Sequence, residues 1–180
     1  MKTIKLTMLV ALLMFGLTNS LTAQVSSFPH VSTFEVDFGD WTQSTFDDFD
    51  WTRNSGGTSS NPTGPQGPTN FGANNTVWYI YTESSSPVTN GQTAAVNCIY
   101  DFSALLTASM DFSYHMYAGN GNPGMLRVKA NGVEIWADST TNVSGWQLAS
   151  INLDAYAGQT SVIIEIESIV AATGTSFWSD

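Results

Sequence analysis

The chain is 180 residues long and 42% hydrophobic, with 15 acidic against 5 basic side chains and a formal net charge of −10. That sign excludes nucleic acid as a partner and disfavours an anionic membrane surface, because both require clustered Lys and Arg. A single cysteine, Cys98, rules out an internal disulfide framework, so packing, with or without a metal ion, must hold the fold.

Lys2 and Lys5 precede an apolar run from Leu6 to Leu17, which is short of the roughly 20 residues that span a bilayer. Residues 1–23 are therefore predicted to be a secretory signal, with Leu21-Thr22-Ala23 before a cut at Gln24 and no cysteine there to take a lipid. The product is expected to be secreted or at the cell surface, with no membrane insertion after signal cleavage. Cleavage leaves Arg53, Arg127 and Lys129 against fifteen acids, three minus fifteen, or −12. Carboxylates are hard oxygen ligands, so the acidity favours calcium. Cys98 itself is predicted to be a small buried hydrophobe.

Residues 24–32 form a lead into one domain over 33–180. Period-two alternation recurs and no segment shows helical spacing, which predicts an all-β fold. Phe34, Val36 and Phe38 alternate with Thr33, Glu35 and Asp37, placing Glu35 and Asp37 on one face of a first strand. The acidic cluster Asp47, Asp48 and Asp50 follows. From Arg53 to Phe71 the breakers Gly56-Gly57 and Gly64-Pro65 predict a long surface loop, part of a binding or metal-capping edge.

Val77 to Glu83 is predicted to be a strand. Met110, Phe112, Tyr114 and Met116 alternate with Asp111, Ser113, His115 and Tyr117, a core face against a polar one, with His115 in a structural hydrogen bond beside Tyr117. Asn131-Gly132 supplies the two positive-φ residues of a type I′ hairpin turn. Its register pairs Ala130 with Val133, Val128 with Ile135 and Leu126 with Ala137 on the buried face. Lys129 then faces Glu134, and Arg127 faces Trp136 in a cation–π contact outside. Gln147 to Leu153 and Val162 to Val170 are two further strands joined through Gly158. Many short strands between Gly, Asn and Pro turns predict a sandwich or jelly roll.

The chemistry-bearing residues are few. No paired-histidine zinc helix, Gly-x-Ser-x-Gly elbow or phosphate loop occurs. Glu165 and Glu167 share one strand face, as in some jelly-roll glucanases, but the third acid of that arrangement is absent, and two solvent-facing charges are the ordinary reading. Trp136 and Trp146 are candidates for stacking on sugars.

Phe34-Glu35, Trp41-Thr42-Gln43, Asp47-Asp48-Phe49-Asp50-Trp51, the Gly64-Pro65 loop and Tyr114-His115-Met116-Tyr117 together resemble a MAM domain, the extracellular module named for meprin, A5 antigen and receptor tyrosine phosphatase mu. Leu126-Arg127-Val128, Ser144-Gly145-Trp146 and Phe177-Trp178-Ser179-Asp180 fit the same family in order, here in a bacterial-type secreted version without the cysteine pairs of animal members. The resemblance implies a jelly-roll sandwich of two antiparallel sheets. It also implies a final strand after the Ser-Asp, so a domain ending at Asp180 is expected to lack its last strand and to be a piece of a longer product. Similar jelly rolls carry a structural cation between the first strand and the next loop. Here Glu35, Asp48 and Asp50 are the expected calcium ligands, with Asp37 in reserve, set against a plain solvated turn at Asp47, Asp48 and Asp50. The implied function is a non-catalytic recognition or adhesion module for an extracellular protein or glycan, any catalysis residing in a missing domain. The alternatives are an accessory domain of a secreted metallopeptidase and a carbohydrate-binding or glucanase-like jelly roll.

Overall fold

The computed structural model describes residues 24–58, 63–66 and 71–171. The predicted signal, the expected end of the domain and part of the Arg53–Phe71 loop lie outside the described residues. Among the described residues nine strands follow in order: β1 (Thr42–Gln43), β2 (Thr52–Asn54), β3 (Tyr79–Tyr81), β4 (Thr93–Tyr100), β5 (Ser109–Tyr114), β6 (Met125–Ala130), β7 (Val133–Asp138), β8 (Gln147–Asn152) and β9 (Val162–Ile169). They form a five-stranded antiparallel sheet in the order β1-β4-β9-β6-β7 and two antiparallel ladders, β2-β3 and β5-β8.

Alternation along each strand builds the layers. Val96 and Cys98 of β4, Val128 and Ala130 of β6, and Val162 and Ile164 of β9 point inward, where Ile151 of β8 and Met110, Phe112 and Tyr114 of β5 meet them. This is the expected all-β sandwich, with Cys98 buried in its core. At this interface a buried Val or Ile contributes roughly 1.5–3 kcal/mol relative to exposure.

The expected first strand does not form. Phe34 adopts φ +58°, residues 35–37 bend, and Val36 is 84% exposed. Glu35 and Asp37 therefore do not share a strand face. Side chains take over the backbone bonds a ladder would supply. The Arg53 guanidinium donates to the carbonyls of Phe34 and Glu35 and stacks 3.5 Å over Trp78, while the Glu35 carboxylate accepts from the amides of Val77 and Trp78. Asp37 accepts from the Gly39 amide at 2.7 Å, a local turn that ends the alternation. The expected surface loop also turns inward, since Thr63, Gly64 and Pro65 are buried.

The hairpin forms on Asn131 and Gly132, at φ +49° and +78°. Its expected register holds only for Ala130↔Val133 and Lys129↔Glu134. Beyond them a bulge at Ile135 sets Val128 opposite Trp136 and Arg127 opposite Ala137. The bulge moves Trp136 to the inner side, where its ring meets Phe112 and Tyr114 edge-on at 5.1 and 5.2 Å. Burying an indole between two rings outweighs the ~0.5–1 kcal/mol of an exposed cation–π contact, so the expected Arg127–Trp136 pair is not made.

Candidate recognition surface

The side chains that alternate with the core project from the outer face of the five-stranded sheet. Register places Asn97 beside Glu165 and Ile99 beside Ile163 between β4 and β9, and Lys129 beside Glu165 and Arg127 beside Glu167 between β9 and β6. The charges pair with one another, three carboxylates against two cations. Arg127 Nε donates to Glu167, Lys129 Nζ lies 2.6 Å from Glu165 and 3.0 Å from Glu167, and Glu134 stands 3.7 Å from Arg127. Glu167, expected to face solvent, is only 7% exposed beneath these cations. Glycosidic chemistry uses two carboxylates flanking the scissile bond, one as acid and one as base or nucleophile. Glu165 and Glu167 are instead committed to Lys129 and Arg127, and Ile169 occupies the next outward position on β9.

Beside this strip, the chain between β1 and β2 makes a loop with a closed base. The Gln43 side-chain amide bonds both the N–H and the C=O of Trp51, at 3.1 and 2.6 Å, and the Trp51 indole donates to the Ala94 carbonyl at 3.0 Å. Two carboxylates then stitch the loop to the edge of β4: Asp47 accepts from the Ala95 amide at 2.6 Å and Asp48 from the Thr93 amide at 2.8 Å. Burial raises the pKa of Asp47 above the ordinary carboxylate value, and the negative charges of Asp50 and Asp48 add to the rise against the Ala95 bond. At the apex, Phe46 is 99% exposed. Phe46, Thr42, Ser44, Asn97, Ile99, Asn131, Gly132, Ile163 and Glu165 enclose an open groove of ≈ 380 Å³ across the sheet.

The expected cation ligands are distributed as follows. Glu35 holds the amides of Val77 and Trp78, Asp48 holds that of Thr93, and Asp50 is exposed. Among the described residues no three Asp, Glu, His or Cys side chains come together to hold an ion, so Glu35 is not gathered with Asp48 and Asp50. Glu35 and Asp48 meet amide donors, and the residues present do not fit a ready-made calcium cage.

The expected sugar-stacking tryptophans face inward. Trp136 packs on β5, and Trp146 donates to the Phe71 carbonyl at 3.0 Å and lies edge-on to Tyr79 and His115. His115 is itself 1% exposed, and its Nδ1 makes no hydrogen bond among the described residues. The exposed aromatic that sequence reasoning passed over is Phe46. Its signal was present: Ser44 and Asp48 at i−2 and i+2 are both polar, so no strand face could bury the ring.

The family model of the MAM domain, meprin/A5/mu, matches residues 32–176, well over half of the chain.

Proposed function

The chain belongs to the MAM domain family, whose members are non-catalytic extracellular adhesion modules, and from that premise we propose that it is a secreted recognition module binding through the outer face of its five-stranded sheet. The observation that supports this reading is the placement of Phe46: a fully exposed ring on a loop anchored at its base and along both sides. The ring's apolar area stays in water after folding and is available to a partner, and the anchored loop backbone lowers the ordering cost of binding. No helix among the described residues is long and apolar enough to cross a membrane.

The module has no turnover of its own under this proposal, and any chemistry belongs to a separate domain, a secreted metallopeptidase being one host for such an accessory. Purified protein incubated with peptide, ester and β-glucan substrates is expected to release no product. Hydrolysis of any of the three, abolished by Glu165→Gln, would replace the recognition reading with an enzymatic one.

Calcium is the finer part of the proposal. It rests on the net acidity alone, since among the described residues Glu35 is not gathered with Asp48 and Asp50. Thermal melting decides it. A rise in melting temperature with calcium that chelator reverses supports a bound ion, whereas superimposable curves with calcium and with chelator eliminate one.

A further inference from the structure

Resting on the recognition reading, we infer that the groove between the Phe46 loop and the outer faces of β4 and β9 is a binding site for a neutral oligosaccharide chain. Three features of the groove converge on that ligand class. The first is the Phe46 ring, which stands wholly in solvent at one wall. A pyranose presents a flat array of C–H bonds on one face, and an exposed aromatic ring is the complementary surface. The loop's anchors fix the backbone that carries the ring before the ligand arrives: the Gln43 amide on both backbone groups of Trp51, and Asp47 and Asp48 on β4.

The second feature is unspent polar capacity along the floor. The Asn97 side-chain amide makes no hydrogen bond among the described residues, although its backbone carbonyl accepts from the Thr42 hydroxyl. Glu165 Oε1 is held by Lys129, which fixes the carboxylate and leaves Oε2 for another donor. Register sets Asn97 and Glu165 directly opposite each other on neighbouring strands. An amide and a fixed carboxylate side by side can donate to and accept from adjacent sugar hydroxyls. An apolar peptide side chain would leave both unsatisfied.

The third feature is shape and sign. The groove is open, with the Ile99–Ile163 pair next to the Asn97–Glu165 pair along the strands, which suits a chain lying across a sheet better than a compact ligand. The net negative charge of the protein and the carboxylate at the floor oppose uronic and sialic acids, so the ligand is neutral.

The test is native electrophoresis of the purified protein through gels containing mixed-linkage β-glucan, mannan or xylan. Wild-type protein is expected to be retarded by at least one of them, with Phe46→Ala and Asn97→Ala at least tenfold weaker. Leu148→Ser, on the exposed outer face of β8, is expected to match wild type. Phe46 is solvent-exposed, so an unchanged melting curve for Phe46→Ala shows that the fold persists. Equal retardation of Phe46→Ala, or no retardation in any of the three gels, overturns the inference. Periodate treatment of target cells separates this result from the parent reading: adhesion that survives oxidation of cell-surface sugars retains recognition and removes the sugar.

Discussion

Lowering the pH from 7 to 4 is expected to remove about 3 kcal/mol of stability through one residue, His115. Burial of the imidazole, with its Nδ1 making no hydrogen bond among the described residues and its ring against Trp146, holds its pKa down at about 4, against an ordinary value of 6.5. The folded state therefore keeps the ring neutral while the unfolded chain takes up a proton below 6.5. Stability is full above 6.5, falls as pH drops through the interval, and levels off below about 4. The carboxylates act elsewhere or in the opposite sense. Burial raises the pKa of Asp138, but hydrogen bonds from Thr141, Thr140 and Tyr114 outweigh it, and its contribution is lost only below the ordinary carboxylate range. Asp47, whose pKa is raised mainly by burial, opposes the loss on acidification. Urea titrations at pH 7, 6, 5 and 4 measure the slope. His115→Leu is expected to flatten it between 6.5 and 4 whatever its effect on absolute stability, and an unchanged slope would place the acid sensitivity on another group.

Arg127→Met is the second large effect, a loss of about 3 kcal/mol. Glu167 is nearly buried and is held by Arg127 and Lys129 from adjacent β6, so removing the guanidinium leaves a carboxylate with half its compensation. Glu134 is more exposed and lies farther away, so its share is small. The discriminating variant is the double substitution Arg127→Met with Glu167→Leu, because replacing a buried ion pair with apolar groups is commonly neutral or stabilising. Urea unfolding is expected to show the double variant more stable than Arg127→Met alone. Additive losses in that cycle would mean that the two side chains do not interact.

The parts of the fold that were legible before the structure are those where local chemistry decides. Asn131-Gly132 dictates its turn, and the alternation in Met110–Tyr114, Gln147–Asn152 and Val162–Ile169 locates β5, β8 and β9. The interior strand β4 was hidden because its inward residues Ala94, Val96 and Cys98 are small and its outward residues Ala95 and Ile99 are equally apolar, so no period emerges. Conversely, Phe34–Phe38 alternates well and forms no strand, since Arg53 and Glu35 bond the backbone groups that a partner strand would have taken. Strand counting could not foresee the bulge at Ile135, which depends on two rings of β5 that the hairpin meets only in the assembled sandwich. For the candidate site, the sequence pointed to acids as cation ligands. The described structure shows Asp47 and Asp48 anchoring a loop, with the exposed side chain between their bonds and the loop base being Phe46.

The measurement that bears most directly on recognition through the outer sheet face is adhesion of protein-coated beads to a panel of fixed cells, comparing wild type, Phe46→Ser and Leu148→Ser. The expected result is capture of beads carrying wild-type or Leu148→Ser protein and loss of capture with Phe46→Ser. Capture that ignores Phe46, or that depends on Leu148 instead, would contradict the assignment of function to this face.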